Sequence, residues 1–264
     1  MKIITLLHFG RGGSDTTAVA IAASIKADRC DIYTDVDGVF SSDPRIVDNV
    51  KKIDEISYDE MLELSSMGAK VLHNRCVEIG KEYNVPIIVK STFKSNSKGT
   101  LVKGCANMEK LCIRGVTKDD NIVRIIIVGI DNKIGRMYQV FDLLAKNNIS
   151  VDTIVKSVGE HAMKDISFTV KSSNMKKTVD VLKDNLELIE AKEIKICDNL
   201  SKISVIGSGM VNNPGVAARV FEALYENNIK MHMISTSEIK ITVLVDKNNA
   251  DIATMAIHKK FFIQ

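Results

Sequence analysis

Residues 9–45 read FGRGGSDTTAVAIAASIKADRCDIYTDVDGVFSSDPR, which combines a glycine-rich loop, an alanine-rich helix, a short strand and an acidic turn. An apolar stretch at residues 3–7 precedes the loop. The order strand, glycine loop, helix, strand is typical of α/β proteins with a mainly parallel sheet. We therefore expect strands at residues 3–7 and 30–34 and a buried helix at residues 16–27.

The glycine-rich loop contains Gly10, Gly12 and Gly13, which suit a tight bend or a close approach of the backbone to another group. Ser14 or Asp15 is expected to cap the helix that follows. Free N–H groups at a helix start favour carboxylates and phosphates. The loop matches neither GxxxxGK[ST] nor GxGxxG, because Asp stands where the last glycine is required. An anion-binding loop and a tight structural turn both remain open.

The acidic turn follows the strand at residues 30–34. Thr34 and Asp35 should lie at the carboxyl end of that strand, where ligands of α/β sheets bind. Asp35, Asp37 and Asp43 could hold a magnesium ion or keep an exposed turn hydrated, and their spacing is not that of an EF-hand. Arg45 could pair with a phosphate or be an ordinary surface residue.

The rest of the first half alternates between helix and strand. Ser57 and Glu60 form a capping-box sequence that predicts a helix start. Residues 71–83 have a helical pattern, and residues 86–89 read as a buried strand. Residues 90–104 are rich in serine, lysine and glycine, so we expect the domain edge there.

The composition is that of a soluble globular protein, with 45% hydrophobic and 26% charged residues among 264. A net charge of +3 is too small to suggest nucleic acid as a partner, and no apolar run approaches the length of a membrane span. Five scattered cysteines predict reduced thiols, and the apolar start lacks a signal-cleavage region, so we expect a cytoplasmic protein. The histidines lack zinc-ligand spacing, so we expect no structural metal site.

The second half contains a repeat with an offset of 80 residues, as between Gly135 and Gly215 or between Ile149 and Ile229. Each copy should form strand, helix, two strands and helix. The glycine at the first helix start could receive an amino-acid carboxylate, or the pair could be a purely structural dimerisation module. The predicted strands are 124–130, 151–158, 165–171, 202–208, 230–236 and 239–246, and the predicted helices are 135–147, 175–185, 215–227 and 250–261.

With both halves laid out, the chain resembles aspartokinases, which are amino-acid kinases followed by two ACT domains. Four motifs carry the resemblance in family order: FGRGGSDTTA at 9–18, YTDVDGVFSSDPR at 33–45, SMGAKVLH at 66–73 and MISTSEIK at 233–240. The resemblance implies part of an amino-acid kinase domain at 1–104, with a mainly parallel sheet. It further implies two α+β ACT domains, at 112–198 and 199–264.

Family membership implies ATP-dependent phosphorylation of L-aspartate to 4-phospho-L-aspartate, with Mg²⁺ accompanying the nucleotide. This reaction begins lysine, threonine and methionine biosynthesis. By motif, Arg11 and Asp15 would be catalytic, Arg11 pairing with a substrate carboxylate. The aspartate site would be lined by Arg11, Gly12, Gly13 and Ser14. The ATP site would comprise Ser14, Thr34, Asp35, Phe40, Ser41, Ser42, Asp43, Pro44, Arg45 and Lys70.

The ACT pair would bind lysine or threonine as end-product effectors and control the kinase allosterically. Relatives commonly have Asp at position 132, Pro at 134 and Gln at 156, whereas this chain has Asn132, Ile134 and Lys156. A missing carboxylate and an added cation are unfavourable to a cationic effector such as lysine. Another departure is Phe40, where many relatives have Tyr. The implied effector residues are Asn132, Gly135, Ile149, Ser150, Val151, Asp152, Asn213, Gly215, Val216, Ala217, Lys230 and Met231.

Aspartokinases begin with a strand and a Lys-Phe-Gly-Gly-Thr-Ser loop, and the resemblance implies an N-terminally truncated chain because no such segment precedes Arg11. Three hypotheses follow. The chain could be an aspartate kinase by descent, as a fragment of a longer enzyme. It could be a non-catalytic regulatory subunit that senses amino acids, or an inactive product. A homodimer through the ACT domains or association with a full-length kinase chain is the expected assembly.

Overall fold

The computed structural model describes residues 12–65, 71–94, 96–104, 112–131, 133–156, 163–208, 210 and 213–263. The chain divides into two compact units. The first unit comprises Met1–Lys118, Ile203–Val243 and Asn249–Gln264, and the second comprises Asp119–Lys202 and Leu244–Asn248. Within the described ranges, no helix is both long and apolar enough to cross a membrane.

The first part of the chain folds around a four-stranded sheet with the order β1-β3-β4-β2. β1 pairs with β3 and β2 with β4 in parallel, whereas β3 and β4 are antiparallel. The predicted α/β fold with a mainly parallel sheet is therefore confirmed. The elements are α1 Gly13–Ser24, β1 Cys30–Thr34, β2 Glu55–Ser57, α2 Tyr58–Leu64, α3 Asn74–Glu82, β3 Ile87–Ser91 and β4 Thr100–Lys103.

Apolar side chains of α1, α3 and the strands form one core. Val19 of α1, Val77 of α3, and Ile87 and Val89 of β3 have no solvent exposure. Full burial of each such side chain contributes about 1.5–3 kcal/mol to stability. The alternation within β3, with Ile88 less buried than its neighbours, is that of a strand with one face on this core.

The capping box predicted at the start of α2 is confirmed. Ser57 Oγ accepts a hydrogen bond from the Glu60 backbone N–H at 3.2 Å, and the Ser57 N–H donates to Glu60 Oε2 at 3.0 Å. Two N–H groups that would otherwise lack partners are thereby satisfied.

The polar segment at residues 90–104 does not behave as a linker throughout, because it contains β4. Thr100 Oγ1 accepts from the Val39 N–H at 2.8 Å and donates to the Ile53 carbonyl oxygen at 2.6 Å. A hydroxyl that bonds two backbone groups makes a polar residue part of the interior. Composition alone therefore placed the start of the domain edge too early.

The second half forms two further four-stranded sheets. One has the order β7-β8-β6-β9 and the other β11-β12-β10-β5. The elements are β5 Cys112–Asp119, β6 Ile122–Asp131, α4 Arg136–Lys146, β7 Ile154–Lys156, β8 Met163–Lys171, α5 Met175–Asp184, β9 Glu193–Cys197, β10 Leu200–Ser208, α6 Val216–Glu226, β11 Met231–Thr236, β12 Lys240–Asp246 and α7 Ala250–Phe262.

The repeat seen in the sequence is also a structural repeat. Gly135 and Gly215 cap α4 and α6 with φ values of 91° and 99°. At the other end of these helices, the Asn147 and Asn227 side-chain amides donate to backbone carbonyls four residues earlier, at 2.9 and 2.8 Å. The same residue types thus begin and end the equivalent helix in each copy.

Two edge strands were not predicted as observed, and one of them departs from the predicted division at 112–198 and 199–264. β5 lies in the sheet of the second copy, although the sequence assigned it to the first. β9, which the sequence did not predict as a strand, pairs with β6 in the first copy. Strands adjacent in sequence are neighbours in a sheet only about two-thirds of the time, so the partner of a flanking strand is not a local property.

Candidate functional site

The glycine loop ends in a cap made by backbone conformation. Gly12 is the N-cap of α1 with φ 73°, and no side chain caps the helix. The prediction that Ser14 or Asp15 is the cap was wrong, because the left-handed Gly12 lets the helix begin at Gly13 and places both residues in the first turn. Arg11 and Lys70, two predicted site residues, lie outside the described residues.

Gly12 also brings two of the sequence motifs together. A Cβ atom at position 12 would lie 2.3 Å from His73 Cγ, so only glycine fits against this ring. His73 ends the SMGAKVLH motif and caps α3, accepting from the Arg75 N–H at 3.4 Å. The first turn of α1 therefore lies beside the start of α3. Within that turn, Ser14 is exposed and Asp15 is partly exposed.

Thr34 is the last residue of β1 and pairs with Ser91, the last residue of the parallel strand β3. Its predicted position at the carboxyl end of the strand is confirmed. Thr34 Oγ1 donates to Asp35 Oδ1 at 3.0 Å, and the Thr34 carbonyl accepts from Thr92 N–H at 2.8 Å. Asp35 itself is exposed, at the edge of the sheet where α/β proteins bind ligands.

The Phe40–Arg45 turn follows, and its two serines are buried. Ser41 Oγ accepts from Lys51 N–H at 2.9 Å and lies 2.8 Å from a histidine nitrogen of α7, and Ser42 Oγ donates to the Val116 carbonyl at 2.8 Å. These hydroxyls hold the turn to the protein. Phe40 forms a β-bridge with Lys52 and is partly exposed, whereas Pro44 and Arg45 are exposed.

Asp43 and Arg45 form a two-pronged ion pair within this turn. Arg45 Nε lies 3.0 Å from Asp43 Oδ1, and Arg45 Nη2 lies 2.6 Å from Asp43 Oδ2. Hydrogen bonds from the guanidinium lower the pKa of Asp43. The Arg45 side chain is 86% exposed, and an exposed pair of this kind contributes little to stability, so its guanidinium is available to a competing anion.

A cavity of about 470 Å³ is lined in part by Asp37 of the acidic turn and by Lys52, the bridge partner of Phe40. This volume is within the usual range for small-molecule sites. Three lysines and an aromatic ring, that of Phe93 with 82% exposure, contribute to its wall. Sequence reasoning missed this site because it treated the lysine- and serine-rich segment as a domain edge, although a phenylalanine between two lysines was a usable signal. The lining residues are Asp37, Lys52, Asp54, Phe93, Lys94, Asn96, Ser97 and Lys98.

Asp37 connects the acidic turn to this cavity. Its Oδ2 lies 3.6 Å from Lys52 Nζ and 3.8 Å from Lys94 Nζ. A hydrogen bond with Ser97 and the charges of the two lysines lower the pKa of Asp37. The next residue, Gly38, has φ 115° and would clash with Thr100 Oγ1 if it carried a Cβ atom.

The carboxylates of this region fit a magnesium ion only as a companion of a phosphate ligand. Asp37 is paired with lysines and Asp43 with arginine, and Asp35 is exposed. No group of three or more metal-ligating side chains occurs among the described residues. Mg²⁺ in nucleotide sites is commonly held by one or two carboxylates, waters and phosphates, and Asp35 is the carboxylate suited to that role.

Ion pairs cross the predicted effector loop of the first repeat. Lys133 Nζ lies 2.7 Å from Asp131 Oδ2 and 3.5 Å from Glu190 Oε2. Arg136, which is 8% exposed, lies 2.6 Å from Glu190 Oε2. The hydrogen bond from Arg136 lowers the pKa of Glu190, and the one from Lys133 lowers that of Asp131. A cationic effector at this loop would have to compete with these cations. Asn132 lies outside the described residues.

The other predicted effector residues differ in exposure. Ile149 belongs to the core of the first repeat, and Val216 is equally buried in the second. Asp152 is already engaged, since its Oδ2 lies 2.6 Å from Lys202 Nζ. The partly exposed residues are Val151, Asn213, Ala217 and Met231, and the exposed ones are Gly135, Ser150, Asp152, Gly215 and Lys230.

Comparisons with known proteins cover both halves of the chain. The Amino acid kinase family profile matches residues 3–91, and the ACT domain profile matches residues 125–186 and 203–261. Aspartokinase 2 of Bacillus subtilis is 47% identical over 253 residues, which are 96% of this chain and 62% of that protein. The chain thus spans about three-fifths of the length of such curated relatives.

The solved structures that are similar to this chain are also aspartokinases. Escherichia coli aspartokinase III in complex with aspartate and ADP has a TM-score of 0.81 and 28% identity, over 96% of this chain and 56% of that one. The same enzyme in complex with lysine and aspartate has a TM-score of 0.72 and 29% identity, again over 96% of this chain and 56% of that one. A chain in the structure of aspartokinase alpha and beta subunits has a TM-score of 0.54 and 38% identity, over 57% of this chain and 99% of that one. Together with the kinase and ACT folds described above, these similarities establish that the chain belongs to the aspartokinase family.

Proposed function

We propose that this chain takes part in the ATP-dependent phosphorylation of L-aspartate to 4-phospho-L-aspartate, under feedback control through its ACT domains. The observation that carries the proposal is the site at the carboxyl end of β1. There, Asp37 of the acidic turn lines a cavity with three lysines and an exposed phenylalanine, and Phe40 bridges to one of those lysines, Lys52. Lysines suit phosphates, and an exposed aromatic ring suits the face of a base.

Phosphoryl transfer depends mainly on positioning and on neutralising charge. In the proposed arrangement, Arg11 and the first turn of α1 with Gly12, Gly13 and Ser14 receive the aspartate, and Asp15 orients this group. The nucleotide is held by Thr34, the Phe40–Arg45 turn and Lys70. Mg²⁺, when bound with the nucleotide, supplies further neutralisation of phosphate charge.

Nucleotide binding is the first test. Calorimetric titration of the whole chain with ADP and Mg²⁺ should give saturable binding, and Lys52→Ala should weaken it about tenfold, the effect of losing one charge-assisted contact. Lys81→Ala is the matched control, because this lysine of α3 pairs with Asp59 of α2 and does not line the cavity. Absence of saturable heat, or an equal effect of both substitutions, would contradict the nucleotide site.

A second candidate function is amino-acid sensing by a regulatory chain. It is favoured by the match of 57% of this chain to nearly all of a chain in the aspartokinase alpha and beta subunit structure. Titration with lysine and with threonine tests it directly, and no heat with either would count against a sensor. ADP release that requires both ATP and aspartate would support the kinase, whereas effector binding without such release would support the sensor.

We further propose a cytoplasmic location and an assembly through the ACT domains. The described cysteines that are free, Cys30, Cys76 and Cys197, suit a reducing compartment. β7 is an edge strand that exposes Ile154 and Val155, which suits pairing with a second ACT edge in a homodimer or with a full-length kinase chain. Light scattering of the chain and of Ile154→Lys should give a dimer and a monomer, respectively. A monomeric wild-type chain would contradict the homodimer.

A further inference from the structure

His258 of α7 is a buried polar residue for which the proposed chemistry has no direct use. It is completely buried, and its Nε2 lies 2.8 Å from Ser41 Oγ in the Phe40–Arg45 turn. Its ring stacks on Phe262 with centroids 4.5 Å apart. Nδ1 has no hydrogen-bond partner among the described residues. The bond to Ser41 is therefore the polar contact that the structure gives this side chain.

Ser41 is in turn held from three elements. Its N–H donates to the Lys51 carbonyl at 2.8 Å, and its Oγ accepts from Lys51 N–H at 2.9 Å. Its carbonyl accepts from Val116 N–H of β5 at 2.8 Å. His258 supplies the fourth contact, from the last helix of the second ACT domain. Because Ser41 Oγ already accepts from Lys51, its own O–H is free to donate to Nε2 of a neutral imidazole.

The contact lies where it can influence ligand binding. Ser41 immediately precedes Ser42 and Asp43, and Asp43 pairs with Arg45, one of the exposed residues of the turn. Burial makes the His258–Ser41 bond costly to break, because the groups left behind would lack partners. The conformation of the turn is thus tied to the position of α7.

We propose that His258 is a positioning residue for the Phe40–Arg45 turn: through Ser41 it holds the turn in the conformation that binds the nucleotide, and it links the last ACT helix to nucleotide affinity. This inference rests on the proposed nucleotide site. It gives the second ACT domain a direct route to that site within the first unit. A histidine that merely filled the core would contribute to stability without affecting affinity.

Three variants of the whole chain separate these roles. His258→Leu removes the hydrogen bond, whereas His258→Gln keeps a polar atom near the Nε2 position. Thr254→Val is the matched control, because Thr254 is equally buried one turn earlier on α7 and its hydroxyl donates within the same helix, to the Ala250 carbonyl at 2.8 Å.

Titration with ADP and Mg²⁺ is the measurement. We expect His258→Leu to raise the dissociation constant about tenfold, and His258→Gln and Thr254→Val to stay within about twofold of the wild type. Amide exchange at Lys51, whose N–H donates to Ser41 Oγ, should accelerate in His258→Leu and not in Thr254→Val. If His258→Leu does not fold, Ser41→Ala removes the same bond from the other side. The double variant Ser41→Ala/His258→Leu should bind no more weakly than the weaker-binding single variant, because both substitutions remove the same hydrogen bond.

The outcomes distinguish this inference from the function on which it rests. A wild-type chain that does not bind ADP overturns the proposed nucleotide site and the inference with it. A wild-type chain that binds ADP, with His258→Leu matching Thr254→Val, overturns the inference alone. Additive losses in the Ser41 and His258 variants would likewise show that the two residues act separately.

Discussion

At the scale of single residues, Gly12 shows how a motif residue can be required for shape. The backbone there is left-handed at φ 73°, and a Cβ atom would overlap the His73 ring. Gly215 has a similar φ of 99° at the start of α6, yet a Cβ atom there would meet nothing within 4 Å. The two glycines therefore share the conformational requirement and differ in the space around them.

We expect Gly12→Ala to be clearly more destabilising than Gly215→Ala. The left-handed backbone costs a non-glycine residue about 1–2 kcal/mol at either site. Overlap with His73 should add about 1–3 kcal/mol at position 12. Denaturant unfolding of both variants measures the difference, and both positions lie in the first unit. Equal losses of stability would show that the loop relaxes away from His73.

A second prediction at this scale concerns His258 and pH. Burial, and then the nearby charge of Lys51, lower its pKa below the ordinary value of 6.5. The unfolded chain therefore binds more protons than the folded one below pH 6.5. The contribution of the neutral, buried His258 to the free energy of unfolding should be fully present above pH 6.5. The free energy of unfolding should decrease as the pH falls below that value. Unfolding between pH 7.5 and 5 tests this, and His258→Gln should show a smaller decrease. Identical profiles would mean that His258 does not contribute.

At the scale of elements, Thr100 explains why β4 could not be recognised from its composition. It is completely buried, and its hydroxyl joins the backbone of Val39 to that of Ile53. In the sequence, Thr100 is one more polar residue in a serine- and lysine-rich stretch. In the fold, the same residue satisfies two buried backbone groups and adjoins Gly38.

We expect Thr100→Val to lower the free energy of unfolding by about 2–4 kcal/mol, because two buried backbone groups lose their partner. Thr254→Val should cost less than about 1 kcal/mol, since its hydroxyl only supplements a bond within α7. Thermal or denaturant unfolding distinguishes the two variants. Similar losses would indicate that water or a rearranged loop satisfies Val39 and Ile53.

At the scale of the whole molecule, the two repeats differ in how they complete their sheets. β6 to β9 lie within residues 122–197, so the first copy contains its whole sheet. The second copy takes β5 from before the first copy. All nine residues of β10, the neighbour of β5, are buried, so removing β5 would expose the edge of a strand that the fold keeps covered.

This difference predicts how fragments behave. A fragment of residues 120–198 should fold by itself and unfold cooperatively. A fragment of residues 199–264 should stay unfolded or aggregate, and addition of residues 112–119 should improve its solubility. Circular dichroism and light scattering measure both outcomes. Independent folding of 199–264 would show that β5 is dispensable.

Much of the architecture was accessible from periodicity and turn chemistry. The strand at 30–34 and the Ser57 capping box were predicted as observed, and the repeat helices were predicted to within one or two residues. Helix starts, apolar faces and an 80-residue repeat are local or periodic properties. Such properties can be predicted from one sequence because they do not depend on which distant segments are in contact.

By itself, the sequence determined the α/β kinase portion, the duplicated α+β unit and the family motifs around Gly12 and Asp35. Only the tertiary structure decided that β5 joins the second copy and that Phe93 and the lysines line one cavity. It alone paired Ser41 with His258, which are 217 positions apart. The physical reason is that such contacts are chosen by packing and by the need to satisfy buried polar groups, and both depend on the whole fold.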